Sequence, residues 1–189
     1  MWFVTLPRLN RAHRHVLGEL EGLGFWSDAM AQVQVWLRPF AAGCFGWQDY
    51  GSTGDIHVPA VAGPRILAKF GFNEGCSPRQ LLRHEWAHAL AHHHHDLVAN
   101  REFRYAFDGS HDCGRPVRSY CPTRHISPYA SSQPMEDFAE NFMHFVKHRG
   151  NLPAQWQTRH IKKRWDFLRS QISKPLILIN SKNHRKMSS

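Results

Sequence analysis

The sequence has no long hydrophobic run and few cysteines, and both features narrow the kind of protein it can be. No stretch approaches the roughly 20 consecutive apolar residues that cross a bilayer, so we expect no transmembrane segment. The first residues lack a charged start followed by an apolar core, so we expect no Sec signal peptide. The sequence therefore predicts a protein that stays in the cytoplasm, or one exported by another route.

The cysteines show no C-x-x-C spacing, and they number four: Cys44, Cys76, Cys113 and Cys121. Cysteine pairs at short spacing are typical of closed structural zinc sites, so their absence disfavours such a site. Without a signal peptide the expected state is the free thiol, although export would allow a disulfide between Cys113 and Cys121.

Acidic residues are scarce at the C-terminus. Residues 159–189 carry nine Lys/Arg against Asp166, a net of +8, out of +9 for the chain. Such a segment can bind nucleic acid or an acidic surface, or it can be a solvated helix face with a disordered end. We expect one domain over residues 1–173 and a basic, flexible tail over residues 174–189.

Histidine is abundant, with 15 residues, and two of them form the motif His84-Glu85-Trp86-Ala87-His88. On an α-helix, residues four apart lie on one face, so both imidazoles can reach one Zn²⁺. Glu85 lies to one side of them, where a carboxylate can take a proton from a water that the metal activates. The motif thus predicts a catalytic zinc with Glu85 as general base.

The residues before the motif predict the start of a helix. Ser77 suits the N-cap, Pro78 the first helical position and Gln80 the third, which together form a capping box. Residues 81–91 then run without a helix breaker, and an apolar stripe lies beside the histidines. The motif alone is not decisive, because histidine is so abundant in this chain, but this context favours metal ligands over ordinary surface or core histidines.

The N-terminal half predicts both helix and sheet. Helical spacing covers residues 8–36 with a break at Gly22–Gly24, although alternation from Val33 to Leu37 favours a strand at the end. Strands are also expected around residues 44–47 and 55–60. Pro59 predicts that the strand over residues 55–60 is an edge strand. Such a strand can pair with an extended peptide, or it can be an ordinary edge strand with no ligand.

The C-terminal half predicts a long loop and two helices. Residues 96–128 show little periodicity, which predicts a long functional loop. One helix is expected from Pro134 to Gly150, and another after Pro153. The second has a core stripe in which residues are spaced by four, three and four: Ile161, Trp165, Leu168 and Ile172.

A catalytic zinc takes three protein ligands, and His94 is one candidate for the third. It completes the metzincin spacing H-E-x-x-H-x-x-G-x-x-H, except that Ala91 replaces the glycine. That glycine lets the chain turn back to the metal, and a left-handed alanine there costs on the order of 1 kcal/mol. If the helix simply continues, His92 follows His88 on the same face, and His93–His95 form a solvated cluster.

Glu136 is the other candidate. It lies one turn before Glu140 on the helix that Pro134 opens. Two acids placed in this way make sense if Glu136 binds the metal and Glu140 orients a ligating histidine. An acidic first turn that complements the helix dipole would explain Glu136 and Asp137, but it explains Glu140 less well.

Residues 77–146 resemble the gluzincin peptidases of the anthrax lethal factor and Pro-Pro endopeptidase type. In that family a tyrosine seven residues before the glutamate ligand assists catalysis, and a Phe-Ala-Glu sequence follows the ligand. Tyr129 and Phe138-Ala139-Glu140 match these two features around Glu136. The resemblance does not reach residues 1–50 or the basic tail, so it implies no substrate preference.

The resemblance implies a zinc metalloendopeptidase with an α+β, zincin-like fold. Such a fold has a small mixed or antiparallel sheet with an edge strand, an active-site helix and a helical C-terminal subdomain. Zn²⁺ would be held by His84, His88 and Glu136, and Tyr129 would donate a hydrogen bond to the oxyanion.

Three alternatives to this function stay open. One is a metzincin-like protease that uses His94. Another is a basic module that binds nucleic acid or a partner protein, with a structural zinc held among His92–His95, His111, Cys113, Cys121 and His125. The third is a protease that its basic C-terminus delivers to nucleic acid or to an acidic protein.

Overall fold

The computed structural model describes residues 2–40, 46–49, 53–69, 77–112 and 119–172. The strands are β1 (Trp2–Phe3), β2 (Val35–Phe40), β3 (Trp47–Gln48) and β4 (Ile56–Ala62). The helices are α1 (Leu6–Gly22), α2 (Pro64–Lys69), α3 (Pro78–His93), α4 (His95–Ala99), α5 (Arg101–Phe107), α6 (Pro134–Lys147) and α7 (Arg159–Ile172). The small sheet packs against α1 and α3, and α6 also packs against α3. The predicted α+β class is confirmed.

β4 is the central strand of a mixed sheet, so the prediction that Pro59 makes it an edge strand is wrong. It pairs in parallel with β2 on one side, and antiparallel with β1 and β3 on the other. Among the described residues, β3 pairs with residues 56–57 and β1 with residues 61–62. Within β4, Pro59 lies between these two paired segments, and the Trp2 indole donates to the Pro59 carbonyl oxygen at 2.8 Å. Here a proline without an N–H is compatible with a central strand.

The predicted helix over residues 8–36 is correct only in its first part. α1 ends at Gly22, as the glycines predicted, and Gly24 has a φ of +74°, which favours glycine. A short 3₁₀ turn follows at Asp28–Gln32, and the alternating residues then enter β2. The strand interpretation of this last stretch is confirmed.

The predicted long loop over residues 96–128 is wrong in its first part, because residues 96–99 belong to α4 and residues 101–107 form α5. The Asn100 side chain caps α5 by accepting from Phe103 N at 2.8 Å, and Phe103 and Phe107 are buried. Helices of five and seven residues are too short to show a clear periodicity in sequence. Cys121 is a free thiol, which is the state expected without export, and its possible disulfide partner Cys113 lies outside the described residues.

α3 occupies the centre of the protein. The predicted capping box is confirmed: Gln80 N donates to Ser77 Oγ at 3.4 Å, and Ser77 N donates to Gln80 Oε1 at 3.0 Å. Every residue from Pro78 to Ala91, apart from Arg79 and Gln80, is buried. Arg83 makes two hydrogen bonds to Glu19 of α1, at 2.7 and 2.8 Å. The helix that carries the motif is therefore held on several sides rather than exposed.

Both predicted C-terminal helices are confirmed as α6 and α7, and the core stripe of α7 is buried at Ile161, Trp165 and Leu168. No helix in the described part of the chain is long and apolar enough to cross a membrane. The predicted tail over residues 174–189 lies outside the described residues, as do Cys44 and Cys76.

A buried ion pair joins α7 to the first turn of α6. Arg164 Nε donates to Asp137 Oδ2 at 2.7 Å, and Arg164 Nη2 lies 2.6 Å from the same oxygen. Both side chains are fully buried. A buried charge is tolerated when it is paired, so each of these residues depends on the other.

We expect Asp137→Asn to lower the free energy of unfolding by about 3–5 kcal/mol, because it removes the nearer counter-charge of the buried Arg164. The other acidic neighbour of Arg164, Asp108, lies farther away, at 3.7 Å. Urea unfolding followed by circular dichroism measures this. Asp166→Asn is the matched control, since Asp166 pairs with Arg169 at the surface of α7, and we expect a change of less than about 1 kcal/mol. Equal effects of the two substitutions would show that burial of the Asp137 pair does not matter.

Candidate metal centre

His84, His88 and Glu136 bring three ligand atoms together. His84 Nε2 lies 3.2 Å from His88 Nε2 and 3.1 Å from Glu136 Oε2, and His88 Nε2 lies 3.5 Å from the same oxygen. A tetrahedral ion about 2.0–2.1 Å from each ligand keeps the ligand atoms roughly 3.3–3.4 Å apart. The triangle therefore has the size that one tetrahedral cation requires.

Two helices supply this donor set. α3 presents His84 and His88 one turn apart, and Glu136 lies in the first turn of α6, which packs against α3. Two imidazoles and a carboxylate are ligands that suit Zn²⁺, and three ligands leave one tetrahedral position open. Within the described ranges, this is the one group of three or more such side chains that could hold a metal ion.

Glu140 contacts the ring nitrogen of His84 that does not face the ligand triangle. His84 Nδ1 donates to Glu140 Oε1 at 3.0 Å, and the other oxygen of Glu140 accepts from Ser127 Oγ at 2.6 Å. A carboxylate on Nδ1 keeps the proton there and leaves the Nε2 lone pair to face the other two ligand atoms. The sequence left open which histidine Glu140 would contact, and in the structure it contacts His84.

The electrostatics of the group reflect burial and close pairing. Burial disfavours the charged form of His84, but hydrogen bonds to Glu136 and Glu140 and their charges raise its pKa well above the usual value. Burial acts to raise the pKa of Glu136, but the charges of His88 and His84 and the hydrogen bonds from both hold it well below its usual range. A bound cation would take over the role of the proton on His84.

Glu85 is buried beside the ligands. Burial raises the pKa of its carboxyl, while the charges of His84 and His88 oppose this effect. A carboxylate with a raised pKa is a better proton acceptor near neutral pH. Glu85 is therefore a buried carboxylate that follows His84 directly on α3 and interacts electrostatically with all three candidate ligands.

Tyr129 lies in a 3₁₀ turn, Tyr129–Ser131, that packs on α6. Its ring centroid is 5.8 Å from that of His84, and its hydroxyl is hydrogen-bonded to Glu136. Burial, together with the negative charges of Glu136 and Glu85, raises the pKa of Tyr129. The hydroxyl therefore keeps its proton and acts as a hydrogen-bond donor.

His94 is placed away from the triangle. α3 continues through Ala91 to His93, so the chain does not turn back at Ala91. His94 Nε2 lies 2.7 Å from Ser27 Oγ, and His93 Nε2 donates to Thr53 O at 2.9 Å. The histidines at the end of α3 thus contact neighbouring loops.

The other residues considered for a structural zinc are dispersed among the described ranges. His95 and His111 both contact the carboxylate of Asp112, at 3.1 and 2.9 Å. His125 is buried, and burial lowers its pKa to about 4. Cys121 contacts Thr123 at 3.1 Å. No common point for a metal is formed by these described side chains.

Most basic side chains of α7 have acidic partners within the protein. Besides the buried Arg164, Lys163 lies 2.9 Å from Asp108, and Arg169 lies 2.6 Å from Asp166. Arg159 and Lys162 line a groove of about 580 Å³ between α5 and α7. Part of the basic charge from which we predicted an anionic partner is therefore neutralised by acidic side chains of the protein itself.

Sequence reasoning missed two residues that contact the site. A Cβ atom on Gly46 would lie 2.7 Å from Glu85 Oε1 and 2.9 Å from Leu81 Cδ1, so only glycine fits there without displacement. Ser127, as noted, donates to Glu140. The Ser-Pro sequence at residues 127–128 resembles a turn cap, but a single sequence contains no signal for either contact across the fold.

We expect Gly46→Ala to push the Glu85 carboxylate out of its place and to lower the free energy of unfolding by about 1–3 kcal/mol. The pKa of Glu85, followed by carboxyl ¹³C NMR, should then move towards its ordinary value. Gly63→Ala is the matched control, because an added Cβ there meets nothing within 4 Å. An unchanged pKa of Glu85 in Gly46→Ala would contradict the close packing.

Comparison with known proteins adds no relative from which a role could be transferred. No protein-family model, no curated protein and no solved structure matches the chain. The gluzincin resemblance stays a prediction from the motif residues. Any proposed function must therefore be argued from the geometry of the site.

Proposed function

We propose that the protein is a zinc-dependent metalloendopeptidase with a zincin-like fold, in which His84, His88 and Glu136 hold the metal. The observation that carries the proposal is the triangle of ligand atoms from two buried histidines and the partly buried Glu136, with sides of 3.1 to 3.5 Å. Its donor set and dimensions suit one tetrahedral zinc ion with an open position, as in catalytic rather than structural sites.

Zn²⁺ bound there would supply a Lewis acid that polarises a peptide carbonyl and acidifies a water. Glu85 would accept a proton from the attacking water and return it to the departing amine. Its burial supports this role, because it makes the carboxylate a stronger base. Glu140 would keep the proton of His84 on Nδ1, away from the ligand atoms.

Tyr129 would act on the substrate carbonyl. Its hydroxyl is held at Glu136 and stays protonated, so it can donate to an oxygen on which negative charge develops. The loss of one such donor typically costs about 10²–10³ in rate. A buried base and a protonated donor beside the same ligands support hydrolysis over a purely structural role for the metal.

We expect the purified wild-type protein to contain zinc and to cleave peptides. Glu85→Gln should keep the zinc and lose about 10²–10⁴ in rate, because the general base is removed. Glu136→Ala should lose zinc, whereas His94→Ala, which removes the contact with Ser27, should keep both zinc and activity. Elemental analysis and cleavage of a proteome-derived peptide library measure these outcomes.

Full activity of Glu85→Gln would contradict the peptidase proposal. Loss of zinc in His94→Ala but not in Glu136→Ala would instead assign the third ligand to His94, as in the metzincins. The cleavage sites in the library would also define the substrate preference, about which the motif residues imply nothing.

A further inference from the structure

Ser127 lies where the turn that carries Tyr129 meets α6. Its hydroxyl donates to Glu140 Oε2 at 2.6 Å and accepts from Ala130 N at 3.1 Å. A serine hydroxyl can do both at once, because it has one donor and two acceptor positions. One side chain therefore joins the backbone of the turn to a carboxylate of the neighbouring helix.

The connection continues to the ligand triangle. The second oxygen of Glu140 accepts from His84 Nδ1 at 3.0 Å, and His84 Nε2 is one corner of the triangle. Glu140 and His84 are both buried. In such a low-dielectric environment consecutive hydrogen bonds strengthen one another, and leaving one partner unsatisfied is costly.

The two other serine hydroxyls near the turn form hydrogen bonds to backbone oxygens and not to Glu140. Ser131 Oγ donates to Pro128 O at 2.7 Å, and Ser132 Oγ donates to Tyr129 O at 2.7 Å. Both bonds are local and stay within the turn. Ser132 therefore offers a matched comparison, since it has the same hydroxyl and a bond of similar length, but that bond goes to the backbone of the turn and not to Glu140.

We propose that Ser127 is a positioning residue that couples the orientation of His84 to the place of Tyr129, through Glu140. Without the hydroxyl, Glu140 loses the hydrogen bond that orients its carboxylate towards His84. The turn at the same time loses one of its hydrogen-bonded links to α6, and the bond between Tyr129 and Glu136 then has to hold the tyrosine in place with less support. The inference rests on the proposed function and adds a residue through which two parts of the site act together.

The test compares Ser127→Ala, Ser127→Thr and Ser132→Ala in the full chain. The first measurement uses metal-free protein, in which ¹⁵N NMR of the imidazole reports the Nδ1 proton of His84. We expect that signal to broaden or shift in Ser127→Ala only. Zinc affinity, measured by competition with a chelator, should fall about 10–100-fold in the same variant.

Two further results are expected if Ser127 acts in this way. For peptide cleavage, Ser127→Ala should lower kcat and leave KM nearly unchanged, because Tyr129 acts mainly on the transition state. Ser127→Thr keeps the hydroxyl and should restore all three measurements. In a Glu140→Ala background, Ser127→Ala should add little further loss, because both substitutions break the same connection.

Wild-type values of the His84 signal and of zinc affinity in Ser127→Ala would overturn the inference. Equal losses in Ser127→Ala and Ser132→Ala would overturn it as well, because they would indicate a general effect on the turn. If the wild-type protein binds zinc but cleaves no peptide, the proposed function fails. The NMR comparison on metal-free protein then still decides whether Ser127 orients Glu140 on His84.

Discussion

The centre of this protein depends on the rule that charged side chains can be buried only with a partner. His84 lies between Glu136 and Glu140, and Asp137 pairs with Arg164 in the adjacent layer of helices. Each of these charges would be costly in an apolar interior by itself. Because the partners come from α3, α6 and α7, pairing the charges also determines how the three helices pack.

α6 connects these buried groups. Glu136 and Glu140 lie one turn apart on the face towards α3, whereas Asp137 points towards α7. The first turn of this helix is thus held from two sides, and one of them is the candidate metal centre. A metal at the triangle would then add to the stability of the same packing, since an ion that binds only the folded state stabilises it.

The local features of the candidate site could be predicted from sequence, and several global features could not. The capping box at Ser77, the start of α6 at Pro134 and the core stripe of α7 all depend on neighbours within one or two turns, and all are confirmed. The edge-strand prediction was wrong because a proline removes only one N–H from a ladder. In β4, Pro59 lies between the residues that pair with β3 and those that pair with β1, so a central strand can accommodate it. The long-loop prediction was wrong because α4 and α5 are too short to show a period.

The sequence by itself determined that His84, Glu85 and His88 share one buried helix, because helical geometry places residues three and four apart on neighbouring positions. Residue spacing left Glu136 and His94 open as the third ligand and the resemblance favoured Glu136, but only tertiary structure decided which of them lies beside these histidines. Glu136 is 52 residues from His84 in the chain, and only the packing of α6 on α3 brings the two within 3.1 Å. The same holds for Ser127 and Gly46, whose contacts depend on backbone placement and not on local spacing.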